Sequence, residues 1–551
     1  MNKKWKAIVA ICAISIGFLA FKATPVGDRT FEIVKNLDIF ATLFKEVNAY
    51  YVDDIHPDQL MRTGITAMLA SLDPYTNYIP EDDIEDYRTI TTGEYGGIGA
   101  IVDKKGGVST VVMPYEGYPA HKAGLKAGDQ ILKINGIVLE GKSSDAISKL
   151  LKGQSNSDIV LTVKRFGQEK LFDVTLARER ITISNVPYFG MVAEGIGYVK
   201  LTDFTTEAGA EVRNAVNELK ADGAKKIILD LRGNPGGLLE EAVNVSNVFV
   251  GKGREVVTTR GKLKNWTKTY NTLNDPADTQ IPLAVLISNG SASASEIVAG
   301  VMQDYDRGVL VGQRSYGKGL VQQTRPLAYN SQLKVTTGKY YIPSGRCIQA
   351  IDYSHRNPDG SIGKIPDSLK SEFKTQSGRS VFDGGGVNPD IEVEPFEYAP
   401  IAYSLMSNDL VFDYATRYYY AHPEIKPAKD FTLTDAEYDE FKNWLKDKEL
   451  NYTTQVEQNI EKLIASAKQE KYYQDIEQQI MDLKRETLHN KDQDLITFKP
   501  EIKKLLEQEI AGRYYFQSGM IESTFDQDRE VMEAIKVLND SERYQSILKG
   551  K

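Results

Sequence analysis

The sequence predicts a multidomain α/β protein: a helical N-terminal region, a β-rich module, an α/β core and a helical C-terminal extension. Three observations predict it. A length of 551 residues exceeds one ordinary core and corresponds to about three or four domains at roughly 150 residues each. The texture changes at Gly93 from helical spacing to short β-rich runs punctuated by glycine turns. Beyond residue 181, apolar strands alternate with helical segments, the pattern of a largely buried sheet.

The elements follow in order. Lys3, Lys4 and Lys6 precede an uncharged, mostly apolar run, Ala7–Phe21. That run suits a secretory h-region better than a membrane span of roughly 20 residues. No small-x-small cleavage site follows, since Phe21 and Lys22 interrupt Ala20 and Ala23. Residues 1–24 therefore read as a signal peptide or an uncleaved anchor. The expected location is the bacterial periplasm or cell envelope, with residues 7–21 as the candidate inner-membrane anchor. Residues 29–92 carry helical spacing in FEIVKNLDIFATLFKEV and LMRTGITAMLASL, ending at the turn-rich LDPYTNYIPEDD. Residues 93–180 form the β-rich module, with YGGIGAIVD, VSTVVMP, DQILKING and IVLTVKRFG as strands and SSDAISKLLKG as a helix. Residues 181–400 alternate IGYVKL, EAGAEVRNAVNELKADG, KKIILDL, PLAVLIS, a helix from Ser295, and GVLVG. Residues 401–551 keep helical spacing in VEQNIEKLIASAKQ and PEIKKLLEQEIAGRYYF, and read as a solvated helical appendage without chemistry.

Composition narrows the function classes. A net charge of -9 supplies no basic field for nucleic acid. Hydrophobic residues at 41% and charged residues at 26% are the balance of a globular chain. Of two cysteines, Cys12 lies in the export segment, which leaves Cys347 alone and excludes a disulfide framework. Five scattered histidines without HExxH spacing argue against a zinc hydrolase. No metal or other cofactor is called for. If a serine is catalytic, its base need not be histidine.

Two stretches carry chemistry. In NGSASASEIVAG, residues 289–300, Ser291, Ser293 and Ser295 sit just ahead of an apolar helix-like run. Serines there commonly satisfy backbone N–H groups. A helix start also offers unpaired amides and a positive dipole end to a developing oxyanion, so that if Ser293 of the three is the nucleophile, the Ala294 amide is a natural donor. Downstream, Lys318 stands between Gly317 and Gly319 and before Leu320 and Val321. A lysine acts as a base only if its pKa falls from about 10.4 toward neutrality, roughly 4 kcal/mol at about 1.36 kcal/mol per unit. Burial in an apolar setting supplies that shift.

Residues 119–136, PAHKAGLKAGDQILKING, closely resemble a PDZ domain, the match covering most of 93–180. The resemblance implies that Gly96, Gly97, Ile98 and Gly99 form the loop that holds a peptide carboxylate. SASASEIVAGVMQD followed by YGKGLVQ resembles the active-site signature of the carboxy-terminal processing (tail-specific) proteases. LDPYTNYIP, TTGKYYIPSGRCIQ and GGGVNPDIEV extend the resemblance over about residues 30–400. It implies an α/β, crotonase-like protease core with Ser293 as nucleophile, Lys318 as general base and Gln322 as orienting residue. It also implies a second oxyanion donor from LDLRGNPGG, Gly236 with Gly237 as the near alternative. Arg165 is placed as a link from PDZ module to active site, against the plain reading of a solvated Lys-Arg pair. The expected function is an exported serine endopeptidase that selects substrates by their C-termini. Its expected partners are proteins or peptides with apolar C-termini, and an adaptor lipoprotein or a second copy of the chain. The alternative is a catalytically silent PDZ scaffold of the envelope. A triad built on His355 is disfavoured by the polar, turn-rich SHRNPDG around it.

Overall fold

The structure is a computed structural model that describes residues 26–263, 267–356, 359, 361–450, 452–487 and 491–550. The run read as an export segment, Ala7–Phe21, lies outside the described residues. Among those described, no helix is long and apolar enough to cross a membrane. The chain divides into two units, residues 1–78 and 79–551.

The first unit contains helices α1 (Val26–Tyr50) and α2 (Pro57–Ala70). Pro57 opens α2 where its missing N–H costs nothing. Phe31, Val34 and Leu37 of α1 stay exposed.

The second unit opens with α3 (Ile84–Thr92), stopped by Gly93 at φ 71°, a left-handed C-cap that glycine adopts without strain. The β-rich module then runs β1 (Glu94–Gly97), β2 (Ala100–Lys105), β3 (Val108–Pro114), β4 (Gln130–Ile134), α4 (Ser144–Leu151), β5 (Asp158–Lys164), β6 (Phe172–Ala177) and β7 (Glu179–Thr182). Strands β2-β3-β4-β5-β6 form an antiparallel sheet in that order, while β1 pairs with β7. Ile159, Leu161 and Val163 of β5 are buried at alternate positions, as one inward face of a pleated strand requires. Ser143 caps α4 by accepting the Ala146 N–H at 3.2 Å, and the helix buries Ile147 and Leu151.

The α/β core comprises β8 (Tyr188–Ala193), β9 (Ile196–Lys200), α5 (Ala208–Ala221), β10 (Lys226–Asp230), α6 (Leu239–Phe249), β11 (Glu255–Gly261), β12 (Leu283–Ile287), α7 (Ala294–Asp304), β13 (Val309–Gly312), β14 (Leu320–Pro326), β15 (Gln332–Tyr341) and β16 (Ile391–Glu392). One sheet has the order β8-β9-β10-β12-β13-β16, parallel except for β8. A second, antiparallel layer pairs β15 with both β14 and β11. In the parallel sheet, Ile227, Leu229, Leu283, Val285 and Ile287 face α5, α6 and α7. The residues between them, Ile228, Ala284 and Leu286, face the opposite way.

What covers that opposite face corrects the reading of the tail in part. Helices α8 (Leu410–Ala421) and α9 (Lys499–Glu522) contribute to a cluster of their own around Tyr414, Phe441, Ile502 and Ile510. The last two helices, α10 (Arg529–Asn539) and α11 (Ser541–Lys549), lay Val531, Ala534, Val537, Leu538, Tyr544 and Leu548 on the sheet. The last two helices are therefore part of the sheet's core, whereas the helices Gln455–Gln469, which carries VEQNIEKLIASAKQ, and Tyr473–Thr487 pack on each other through Ile460, Ala467 and Ile480 and are otherwise mostly exposed, as an appendage would be. A parallel sheet needs cover on both faces, and the tail supplies the second cover.

Candidate active site

Strand β12 ends at Ile287, and the chain turns through residues 288–293 into α7. Ser293 takes φ 55° and ψ -112°, a conformation rare for a residue with a side chain and typical of strained functional turns. The three serines divide sharply. Ser291 Oγ donates to Leu231 O at 2.8 Å and accepts the Ser288 N–H at 2.9 Å. Ser295 Oγ donates to Asn234 O at 3.0 Å. Both are fully buried, and both stitch the turn to the loop that follows β10. Ser293 instead lines a cavity of about 450 Å³.

The glutamate at the third position of α7 joins two segments. Glu296 is completely buried. Its Oε2 accepts the N–H groups of Ser293 at 2.8 Å and Lys318 at 2.9 Å. Its Oε1 accepts the Gly317 N–H at 2.7 Å and the Ser315 hydroxyl at 2.5 Å. The amide nitrogens of Ser293 and Lys318 thus lie within reach of one oxygen. Burial pushes the Glu296 pKa up, against these four donors, which favour the carboxylate. The Ser-x-x-Glu spacing is the sequence signature of a capping box, so this signal was present. That the same carboxylate also fastens the lysine turn was not readable from it. Tyr340, also buried, donates its hydroxyl to Ser293 O at 3.1 Å.

Lys318 lines the same cavity as Ser293, together with Gln322, Ala294, Gly236 and Gly237. Its flanking glycine explains the tight approach: a Cβ on Gly317, at φ 89°, would fall 2.4 Å from Ala350 Cβ. Gln322 Nε2 donates to Thr336 Oγ1 at 3.1 Å. At the loop after β10, the expected donor needs correction. Gly236 N–H already donates to Asn234 Oδ1 at 2.8 Å. A Cβ there, at φ 97°, would stand 2.8 Å from Ser293 Cβ and 2.8 Å from Ala294 N. Gly236 therefore approaches the serine turn closely with its own amide engaged, which leaves Gly237, the near alternative named from the sequence, as the candidate donor. The Asn234 side chain, which also donates to Leu201 O at 2.9 Å, is a participant that sequence reading missed.

An ion cluster supports that loop from below. Asp230, at the end of β10, is completely buried and bonded by Arg232 at 2.6 Å and Tyr198 at 2.6 Å, with Lys200 at 3.2 Å. Burial pushes its pKa up, but Arg232 and Lys200 outweigh burial and hold it well below the usual carboxylate range. Arg232 in turn reaches Asp528 at 2.8 Å and Glu530 at 3.2 Å. Both belong to the N-terminal end of α10. The C-terminal extension so clamps the segment that leads to Gly236.

The remaining expected residues lie elsewhere. Gly96 and Gly97 belong to β1, opposite Arg180 and Glu179 of β7. Gly96 borders a separate cavity of about 420 Å³ with Tyr95, Lys149, Lys152 and Asp86. The Ile98 side chain, 2% exposed, packs into the module's core, and Gly99 turns at φ 70°. Helix α3 borders both cavities: Tyr87, Ile90 and Thr91 line the one at Ser293, Asp86 and Thr89 the other. Lys152 holds Asp86 at 2.6 Å. Arg165 does not line the serine cavity. Its guanidinium is held inside the module by buried Asp129 at 2.6 Å and Gly124 O at 2.7 Å, so the expected link to the active site is not made in this arrangement. His355 is exposed and bonded to Asp352 at 2.6 Å, away from the cavity.

Three family models match: "Peptidase family S41" over residues 195–367, "PDZ domain" over 110–165, and "Probable PDZ-protease, C-terminal helical domain" over 401–538. A carboxy-terminal-processing protease of Bartonella bacilliformis is 39% identical over 356 residues, 64% of this chain and 81% of the relative. This chain belongs to the carboxy-terminal-processing protease family. A probable CtpA-like serine protease of Staphylococcus aureus is 36% identical over 316 residues, 57% of this chain and 62% of that relative. Among solved structures, a photosystem II D1 C-terminal processing protease is 27% identical, covering 64% of this chain and 86% of its own, with a TM-score of 0.35. As a carboxy-terminal-processing protease, the chain is a serine peptidase with a PDZ domain.

Proposed function

We propose that this carboxy-terminal-processing protease is an exported endopeptidase that cleaves by a Ser293–Lys318 dyad and takes substrates by apolar C-termini at its PDZ domain. The observation that carries the reading is the buried Glu296 carboxylate, which accepts from the Ser293 and Lys318 amides at 2.8 and 2.9 Å and opens both residues onto one cavity. Neutral Lys318 takes the proton from Ser293 Oγ as the oxygen attacks the scissile carbonyl. The Ala294 and Gly237 amides receive the oxyanion. Protonated Lys318 then passes the proton to the leaving amine, and the acyl-enzyme forms. Water, activated by the same lysine, adds to the acyl carbonyl and releases the second product and free Ser293. Gln322 orients the lysine amine.

Substrate held by its end in the PDZ domain presents the rest of its chain at high local concentration to the cavity. Export is supported by Lys3, Lys4 and Lys6 ahead of Ala7–Phe21, and envelope proteins are then the substrate class. The purified protein, mixed with an unfolded polypeptide bearing an apolar C-terminus, tests the reading. Cleavage is expected from the parent and lost in Ser293→Ala and in Lys318→Ala. Cleavage that survives either substitution sinks the dyad.

A further inference from the structure

The cavity at Ser293 holds a second lysine that the chemistry above does not use. Lys334 is on β15, opposite Thr324 of β14, and lines the cavity with Ser293, Lys318 and Gln322. It stands two residues before Thr336, the acceptor for Gln322, so both point from one face of the strand. Lys334 is half-buried, and burial pushes its pKa down with no counter-charge acting on it. No hydrogen bond or ion pair holds its ammonium among the described residues. The other charged groups on the cavity wall are Asp203, Glu240 and Lys318, and neither carboxylate is bonded to it. Much of the remaining wall is apolar, with Ile90, Leu238, Ile297 and Leu320.

A partly dehydrated, unpaired ammonium in an apolar cleft is costly, and a carboxylate entering that cleft relieves the cost through a charge-assisted bond. We infer that Lys334 is a specificity-determining residue that pairs with a carboxylate of the peptide bound for cleavage, about two strand residues from the Gln322–Thr336 contact. The inference rests on the proposed cleavage at Ser293 and names a preference of that site. It distinguishes acidic from neutral peptides by an attraction and, in the absence of the acid, by an unpaired charge left in the cleft.

The carboxylate has two sources, an acidic side chain or the free C-terminus of a short peptide. The test uses two sets of peptides with the full-length enzyme. In one, C-terminally amidated peptides carry Glu or Gln at each position around the scissile bond in turn. In the other, neutral peptides carry a free or an amidated C-terminus at increasing distance from that bond. The readout is the ratio of kcat/KM within each pair. For the parent, one set gives a carboxylate preference of about tenfold or more at one position, the size expected of a charge-assisted hydrogen bond. Lys334→Met brings that ratio to near one. Lys334→Arg retains most of it, and Lys334→Glu inverts it toward a lysine-bearing peptide. The set that responds identifies the source. If the parent shows no preference in either set, or if Lys334→Met leaves the ratio unchanged, Lys334 does not read a carboxylate. A parent that cleaves no peptide in a Ser293-dependent way fails the proposed activity instead, a separate outcome visible in the same assay.

Discussion

Replacing Glu296 by Gln probes the joint between the serine and lysine turns with the smallest change of shape. In the parent, the two carboxylate oxygens accept four donors at 2.5 to 2.9 Å, three of them backbone amides. The glutamine amide offers one oxygen and one NH2 group, a donor. If the NH2 takes the Oε2 place, the Ser293 and Lys318 amides both lose their acceptor. If it takes the Oε1 place, the Ser315 hydroxyl reverses to accept, but the Gly317 amide is orphaned. Either arrangement leaves at least one buried N–H unpaired, at about 1–3 kcal/mol each, and weakens the other bonds from charged to neutral. Against this, the substitution removes a buried charge whose pKa is pushed up by desolvation, so global stability falls less than the local arrangement does. The expected result is a kcat about 10- to 100-fold lower, since about 1.4 kcal/mol is a factor of ten, with KM changed less than threefold. Steady-state kinetics on one peptide and a thermal melt measure both. A variant with unimpaired kcat would refute the claim that this carboxylate sets the geometry of the pair.

Two further outcomes follow from neighbouring residues. Gly236→Ala introduces a Cβ 2.8 Å from Ser293 Cβ at a φ of 97°, so peptide cleavage is expected to fall at least about 100-fold, while binding of a C-terminal peptide by the PDZ domain, read by calorimetry, stays intact. Asp230 has its folded-state pKa held below the ordinary value of about 3.9. Its stabilisation is therefore full above that unfolded-state pKa and is lost as pH falls through the folded one. Chemical denaturation of the parent and of Asp230→Asn should show a stability gap that narrows by about 1 kcal/mol from pH 7 to pH 3. A gap that widens would contradict the sign.

The legible parts of this protein are those written over short sequence distances. Ser293, Lys318 and Gln322 fall within one stretch of chain, and the strands KKIILDL and PLAVLIS are apolar at successive positions, as a sheet covered twice must be. What the strands do not say is which element covers them. Val531, Ala534, Val537 and Leu538 mark α10 as amphipathic, but an amphipathic stripe names no partner. The same limit hides the clamp on Arg232, whose partners Asp528 and Glu530 are 296 and 298 residues away. Gly236 illustrates a different limit. Its glycine was expected from the turn, but which amide remains for an oxyanion depends on the rotamer of Asn234, which no pattern encodes. Arg165 likewise had two readings, a link to the active site or a solvated cation, and the structure follows neither, because buried Asp129 holds it within the module.

The dyad is tested most directly by the mass of the enzyme itself during turnover of a slowly hydrolysed acyl substrate. The account predicts one acyl adduct, mapped by fragmentation to Ser293, absent in Ser293→Ala and not formed in Lys318→Arg, whose guanidinium stays charged and cannot take the proton. An adduct on any other residue, or one that forms on Ser293 at the parent rate in Lys318→Arg, would contradict it.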